Sequence, residues 1–293
     1  MDLQMKWFDT ASELVGAVRG SLDLMRTADA NIASHPRVTA YCVHCKRDCE
    51  LLVNGGSQFG PDVNLREGLV CQTCGLNSRS RELFLAARET FPAGARLALL
   101  EALSPFATYF GAVWPGARLS EFHSATAEGG REYDFKRADG TLHRAIHQDM
   151  QALDYGDGTL DGIVHNDVLE HVPDAALGLQ ECRRVLVPGG TALFTMPWFP
   201  WLPTSLVRGR LDEQGALVEY LPTELHYDGL RPDGVYTFHN FGADLGELLN
   251  SVGFSQAQFG MCYAPTAGFT TNNYRYGDDF LMLPTVIRAT RAL

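Results

Sequence analysis

Two pairs of cysteines, each with two residues between its members, have the types and spacing that most clearly indicate chemistry. They are Cys42 with Cys45 and Cys71 with Cys74. Each short turn can present two thiolates to one ion, and two such turns suit the tetrahedral four-sulfur coordination of structural zinc. We therefore predict one zinc ion held by these four cysteines in a zinc ribbon. Cys49 and His44 are the neighbours that compete with them as ligands.

Charge and cysteine number limit the class of protein. The chain has seven cysteines and a formal net charge of -11. An odd number of cysteines and no secretory signal predict reduced or metal-bound thiols rather than disulfides. No stretch reaches the roughly 18 apolar residues that cross a bilayer, so we predict a cytoplasmic protein without a membrane partner. The acidity disfavours binding to phosphate backbones and hence a nucleic-acid partner.

The elements after residue 96 alternate between strands and helices. Strands are predicted at residues 96–102, 117–122, 145–150, 162–166 and 191–196, and later near 256–263 and 280–289. Asn77 and Asp174 are expected to cap helices that run to about residues 90 and 185. Strands separated by helical crossovers predict a parallel sheet with helices on both faces. Ligands of such sheets bind at the carboxyl ends of the strands.

The segment 149–194 carries the most specific pattern. A strand leads into VLEHV at residues 168–172, a helix follows, and RVLVPGG at residues 184–190 precedes the next strand. This order resembles the central segment of class I S-adenosylmethionine-dependent methyltransferases. The resemblance implies an α/β fold with a Rossmann-like, mostly parallel sheet of seven strands, and S-adenosylmethionine as cofactor. We accordingly divide the chain into a helix and zinc-ribbon region at 1–92 and a methyltransferase domain at 93–293.

Three residues after the second and third strands are predicted to bind the cofactor. Asp149 stands where the family has an aspartate that contacts the adenine amino group, and the backbone amide of Met150 is expected beside the ring. Glu121 follows the second strand, and its carboxylate can accept hydrogen bonds from both ribose hydroxyls.

The first loop departs from the family pattern. Glu101 matches the family's acidic position, but the glycines that normally follow are missing. Ser104 and Pro105 are expected to start the next helix, with proline in its first turn. Glu101, Ser104 and Asn166, which ends the fourth strand, complete the predicted cofactor site.

Catalytic candidates follow the fourth strand and recur in the segment 197–241. This segment is long, aromatic and without periodicity, which is typical of a lid or binding loop. We predict His171, His226 and His239 as candidates for a general base, because histidine titrates near neutral pH. The alternative for His171 is a structural role in the VLEHV turn. The segment's aromatic rings are expected either to cover the cofactor or to belong to the core.

The predicted function is methyl transfer to an oxygen, nitrogen or carbon atom of a small-molecule, sugar or secondary-metabolite acceptor. Two alternatives stay open. A glycine-free first loop also fits a non-catalytic binding or scaffold protein. A ribbon joined to this domain also resembles an rRNA methyltransferase group in which the ribbon grips RNA, although few basic residues, Arg79 and Arg81 among them, surround the cysteines.

Overall fold

The computed structural model describes residues 3–53, 58, 59, 62–137, 139–227, 230, 231, 233–273 and 281–293. The chain forms two compact units: Met1–Pro92 with Gln258–Ile287, and Ala93–Ala257 with Arg288–Leu293. The sequence-based division placed everything after residue 93 in one domain, whereas residues 258–287 group with the N-terminal region. No described helix combines the length and apolar character needed to cross a membrane.

The first unit is built around a small antiparallel sheet. Its elements up to residue 92 are β1 (Lys6–Phe8), α1 (Ala11–Val18), α2 (Leu22–Ala33), β2 (Arg37–Cys42), β3 (Arg47–Leu52), β4 (Gln58–Phe59), β5 (Asp62–Val63), α3 (Leu65–Gly68), β6 (Val70–Cys71) and α4 (Ser78–Thr90). Strands β2, β3 and β6 pair in that order. The predicted cap of α4 is confirmed, because the Asn77 side chain accepts from the Ser80 amide at 2.8 Å.

The remaining chain forms alternating strands and helices. They are β7 (Leu97–Leu99), α5 (Pro105–Val113), β8 (Arg118–Glu121), β9 (Glu132–Lys136), β10 (Leu142–His147), β11 (Leu160–Asn166), α6 (Ala175–Val185), β12 (Leu186–Thr195), β13 (Leu206–Val207), β14 (Gly209–Leu211), β15 (Leu217–Glu219), β16 (Leu225–His226), β17 (Val235–Tyr236), β18 (His239–Asn240), α7 (Leu245–Ser251), β19 (Phe254–Met261) and β20 (Val286–Arg291). Asp174 caps α6 as predicted, accepting from the Leu177 amide. Phe280, in the last predicted strand, lies outside the described residues.

The main sheet has nine strands in the order β1-β19-β20-β12-β11-β7-β8-β10-β9. Strands β12, β11, β7, β8 and β10 are parallel to one another. This is the Rossmann-like methyltransferase fold that the sequence predicts, with nine strands instead of seven. The additions lie at the two edges, where β1 pairs antiparallel with β19 and β9 pairs antiparallel with β10. Edge strands are short and half exposed, so they leave a weak hydrophobic pattern.

The PGG sequence lies in a β-bulge within β12. The register against β11 shifts between Leu160 and Gly162, and β12 continues from Leu186 to Thr195. Gly189 has φ of 76°, and a Cβ on Gly190 would lie 2.9 Å from the Val187 carbonyl oxygen. Both glycines are therefore required by the backbone geometry of the bulge.

The segment 197–241 is more regular than its sequence suggests. Three short antiparallel pairs form within it, β13 with β18, β14 with β15, and β16 with β17. The expectation of an irregular stretch was therefore wrong, because strands of two or three residues give no detectable periodicity. Trp198, Phe199 and Phe238 are buried and belong to the core, whereas Trp201 and Tyr236 are half-buried and Tyr220 is exposed. Asp228, Gly229 and Pro232 lie outside the described residues.

Candidate functional site

The four cysteines lie on two tight turns of the small sheet. Cys42 ends β2, and its carbonyl accepts from the Lys46 amide at 2.8 Å to close a turn that contains Cys45. Cys71 ends β6, and its carbonyl accepts from the Gly75 amide at 2.8 Å around Cys74. Gly75 has φ of 73°, a conformation that glycine adopts without steric cost.

These turns bring the four sulfur atoms together. Sγ of Cys42 lies 3.8 Å from Sγ of Cys74, and Sγ of Cys45 lies 4.0 Å from Sγ of Cys71. All four lie within 4.8 Å of one another. A tetrahedral zinc ion with bonds of about 2.3 Å separates its sulfur ligands by about 3.8 Å, so the cluster is compatible with a zinc ribbon.

A buried arginine lies beside this cluster. Arg81 on α4 is fully buried, and its guanidinium donates to the carbonyls of Ala267, Gly268 and Leu69. Burial lowers its pKa, while thiolates at Cys42, Cys71 and Cys74 favour the charged form. Arg81, one of the few basic residues near the cysteines, is therefore a core residue whose charge offsets that of the sulfur cluster.

At the carboxyl edge of the main sheet, the predicted cofactor residues come from adjacent strands. Oε2 of Glu101 accepts from Nδ2 of Asn166 at 3.3 Å, which joins the loop after β7 to the end of β11. Oε2 of Glu121, at the end of β8, accepts from the Ala102 amide at 3.3 Å. The structure therefore brings Glu101, Glu121 and Asn166 together around the first loop.

Glu121 also binds an arginine that the sequence analysis did not single out. Nη2 of Arg231 lies 3.2 Å from Oε1 of Glu121 and donates to the Phe122 carbonyl at 2.7 Å. Arg231 belongs to the segment 197–241, 110 residues away in the sequence. No local pattern could have indicated this pairing.

The other predicted cofactor residues have local structural roles as well. Oδ1 of Asp149 accepts from the Gln151 amide at 2.8 Å and forms a turn after β10. Met150 is buried, and the proposed contact of its backbone amide with the adenine ring stays a prediction. The Ser104 hydroxyl caps α5 by accepting from the Ala107 amide at 3.1 Å, with proline at the first helical position as predicted.

Two of the three histidine candidates lie together. Nε2 of His171 lies 3.2 Å from Nδ1 of His226, and Oε1 of Glu170 lies 3.8 Å from both of these nitrogens. Glu170 and His171 belong to the short 3-10 turn after β11, whereas His226 ends β16. This turn carries the VLEHV sequence, so the hairpin β16–β17 places a lid residue against the end of the fourth predicted strand.

The environments of the two rings differ. Burial lowers the pKa of His171 to about 4, so the ring is neutral at neutral pH. Burial also opposes the charge of His226, but the Glu224 and Glu170 carboxylates outweigh it and raise the pKa of that ring. His226 is the more exposed ring of the pair.

His239, the third candidate, and His165 both lie apart from this pair in the second unit. Nε2 of His239 lies 3.1 Å from the Val172 carbonyl and 3.3 Å from that of Pro173, and the ring lines a groove of about 630 Å³ between α6 and the lid segment. His165 stacks on Phe194 in the core, and burial lowers its pKa to about 3.

The donor set at the sheet edge fits S-adenosylmethionine. Carboxylates of Glu101, Glu121 and Asp149 and the amide of Asn166 follow the neighbouring strands β7, β8, β10 and β11. Carboxylates accept hydrogen bonds from ribose hydroxyls and from the ammonium and adenine amino groups. They also favour a cationic ligand.

Comparison with known protein families gives a match in the middle of the chain. Residues 123–194 match the protein family described as Methyltransferase domain. No curated protein sequence matches the chain. The fold assignment itself rests on the strand order and pairings given above.

Solved structures with a similar fold include three from prokaryotes. A chain from a complex with the Haloferax volcanii Trm112 methyltransferase activator is 13% identical, with 73% of this chain and 89% of that one covered and a TM-score of 0.42. An S-adenosylmethionine-dependent methyltransferase of Mesorhizobium loti is 17% identical, with 70% of this chain and 96% of that one covered and a TM-score of 0.38. A SAM-dependent methyltransferase of Methanosarcina mazei is 14% identical, with 71% of this chain and 97% of that one covered and a TM-score of 0.39.

Proposed function

We propose that this chain transfers the methyl group of S-adenosylmethionine to a small-molecule acceptor, and that Cys42, Cys45, Cys71 and Cys74 bind a structural zinc ion. The observation that carries the proposed activity is the convergence of Glu101, Glu121 and Asn166 at the carboxyl ends of parallel strands. In a sheet of this topology, that edge is where ligands bind.

Within this proposal the acidic residues bind and orient the cofactor. Glu121 would accept hydrogen bonds from the ribose hydroxyls, Asp149 would accept from the adenine amino group, and the Met150 amide would bind the ring. Glu101 and Asn166 would hold the methionine portion, and Ser104 caps α5 next to the first loop. When bound, S-adenosylmethionine supplies an electrophilic methyl group on a sulfonium ion.

The acceptor is placed between the ends of β11 and β12 and the segment 197–241. His226 is the favoured residue for taking up a proton from a hydroxyl acceptor, because it is the most exposed member of the Glu170, His171 and His226 cluster. His171 orients the ring of His226 through their contact of 3.2 Å. His239 is a weaker candidate, since its Nε2 faces two backbone carbonyls.

The test is binding of S-adenosylhomocysteine, measured by calorimetry. Glu121→Gln should weaken binding at least tenfold, because a charge-assisted hydrogen bond contributes about 1.5–3 kcal/mol. Glu132→Gln, on the edge strand β9, is the matched control and should leave the affinity unchanged. If the wild-type chain does not bind the compound at millimolar concentration, the proposed activity is wrong.

The same measurement addresses the alternative of a non-catalytic binding protein. One observation favours it: the first loop has no glycine, and its Ala102 amide is already bonded to Glu121. Absence of binding would make this alternative the better explanation. An RNA acceptor is disfavoured, since Arg81 is buried and Arg79 is paired with Glu67 at 2.8 Å.

A further inference from the structure

The hydrogen bonds around His171 define which of its nitrogens carries the proton. Nδ1 of His171 lies 2.8 Å from the backbone carbonyl oxygen of Tyr236. A carbonyl oxygen only accepts, so Nδ1 carries the hydrogen and donates it. Because the ring is neutral, Nε2 then bears a lone pair, and this lone pair faces His226.

A neighbouring carboxylate defines the tautomer of the His226 ring, as the Tyr236 carbonyl does for His171. Nε2 of His226 lies 3.5 Å from Oε1 of Glu224. A carboxylate favours a hydrogen on this nitrogen, which leaves the lone pair of the neutral ring on Nδ1. With both rings neutral, two lone pairs would therefore face each other across 3.2 Å. This arrangement is unfavourable unless a proton or a metal cation lies between or beside them.

A buried carboxylate is the third potential metal ligand beside these two nitrogens. Glu170 is completely buried, and its Oε1 lies 3.8 Å from both facing nitrogens. These three ligand atoms lie within 4.8 Å of one another. Bonds of about 2.1 Å from nitrogen or oxygen to one metal ion separate such ligands by about 3.0–3.4 Å. The separations in the cluster are close to these values, so a small movement of the carboxylate would complete the set.

We propose that Glu170, His171 and His226 form a second metal site, which binds a divalent transition-metal ion such as Zn²⁺, Co²⁺ or Fe²⁺. Two imidazoles and one carboxylate are typical ligands of these ions and leave coordination positions open. A proton on Nδ1 of His226 would also satisfy the two nitrogens, with the Glu170 and Glu224 carboxylates as counter-charges, and a Co²⁺ titration distinguishes a bound metal ion from this protonated pair.

The groups around the cluster support this assignment. Ligating histidines usually donate their second N–H to a carbonyl or a carboxylate, which fixes the ring and its tautomer. The Tyr236 carbonyl and Glu224 have these two roles. Glu224 is held in turn by Arg208 at 3.1 Å and by Asn240 at 3.1 Å.

The open positions indicate the class of the second ligand. They suit water or an oxygen donor such as a hydroxyl or carboxylate group. If the proposed methyl transfer is correct, this donor belongs to the acceptor, and the metal ion would orient it and lower the pKa of its hydroxyl. As a ligand, His226 would then hold the metal ion instead of taking up the proton itself. Metal binding itself does not depend on the proposed activity.

The experiment is a titration with Co²⁺ of the full chain, purified with zinc in its ribbon. Cobalt bound to nitrogen and oxygen gives weak visible bands, whereas cobalt bound to cysteine adds intense near-ultraviolet charge transfer, so the spectrum distinguishes the two sites. We expect one equivalent to bind with the first type of spectrum. No binding, or binding only with a thiolate spectrum, overturns the proposal.

Variants locate the site. Glu170→Gln and His226→Ala should each abolish this binding, and Glu224→Gln should weaken it by about 10–100-fold. His143→Ala, on β10, is the control and should bind normally. His226 is partly exposed, so its variant remains informative if the buried Glu170 variant does not fold. Unchanged binding in His226→Ala refutes the assignment.

Calorimetry with S-adenosylhomocysteine on the same proteins separates this proposal from the proposed activity. Loss of Co²⁺ with normal binding of the cofactor product is the expected result for His226→Ala. Co²⁺ binding in a wild-type chain that does not bind S-adenosylhomocysteine would support the metal site and refute the methyltransferase activity.

Discussion

The contact between Arg231 and Glu121 makes a quantitative prediction about cofactor affinity. Both oxygens of Glu121 are occupied, one by Arg231 and the other by the Ala102 amide. If the ribose hydroxyls bind this carboxylate, they have to displace the guanidinium. Replacing Arg231 with methionine keeps most of the apolar stem but removes this competitor. Arg231→Met should therefore bind S-adenosylhomocysteine more tightly.

The size of the effect follows from the exposure of the pair. The side chain of Arg231 is 29% exposed and that of Glu121 is 11% exposed. A charge-assisted hydrogen bond contributes about 1.5–3 kcal/mol when buried, whereas an exposed ion pair contributes at most about 1 kcal/mol. We take about 1 kcal/mol for this half-buried pair, which corresponds to roughly fivefold tighter binding.

Calorimetry at two salt concentrations measures this effect. The ratio of dissociation constants between wild type and Arg231→Met should fall as salt rises, because salt screens the ion pair. Arg210→Met, in the same segment, is the control and should bind like the wild type. Equal affinities would show that the ribose does not bind where Arg231 does. Weaker binding by Arg231→Met would mean that this arginine contacts the cofactor.

Three further predictions concern zinc binding by the cysteines, binding of the adenine group and the pH dependence of stability. Cys71→Ser with Cys74→Ser should lose the one zinc ion per chain that metal analysis detects in wild type, and should unfold the ribbon, since metal binding and folding are coupled there; a zinc-free wild type with intact structure would contradict this. Asp149→Ala should weaken binding of S-adenosylhomocysteine about tenfold, and unchanged affinity would place the adenine elsewhere. The pKa of His165 falls from 6.5 to about 3 on folding, so the unfolded chain binds more protons between these values. Stability should drop as pH falls through this range, by at most about 5 kcal/mol, and denaturant titration of His165→Phe should show a flatter dependence.

The regular elements of the fold follow from the sequence because their signals are local. Asn77, Ser104 and Asp174 cap helices where the sequence places them, and the alternation of strands and helices gives the parallel order. Strands β1 and β9 and the hairpins of the segment 197–241 are too short to show periodicity. The positions of β1 and β13 also depend on pairing with β19 and β18, which lie much later in the chain.

In the site as well, ligands that are close in the sequence could be predicted, whereas contacts between distant segments could not. The two cysteine pairs are recognisable because each turn carries two ligands. Glu170 and His226 approach each other only because β16 and β17 fold back onto the turn after β11. The burial of Arg81 could not be predicted, since a helical arginine is usually exposed and its carbonyl partners lie 186 and 187 residues later.

The first unit consists of two segments that lie far apart in the sequence, and this affects how the chain folds during synthesis. Asp29 accepts from the Thr271 hydroxyl at 2.5 Å and from its amide at 3.1 Å, and Ser78 donates to the Gly268 carbonyl at 2.8 Å. These contacts span 242 and 190 residues. On the ribosome, the N-terminal region therefore emerges long before its partner segment exists. We expect residues 93–257, the larger part of the second unit, to begin folding before the first unit is complete, which departs from the usual N-to-C order of domain folding. We also expect an isolated fragment 1–92 to remain incomplete even with zinc.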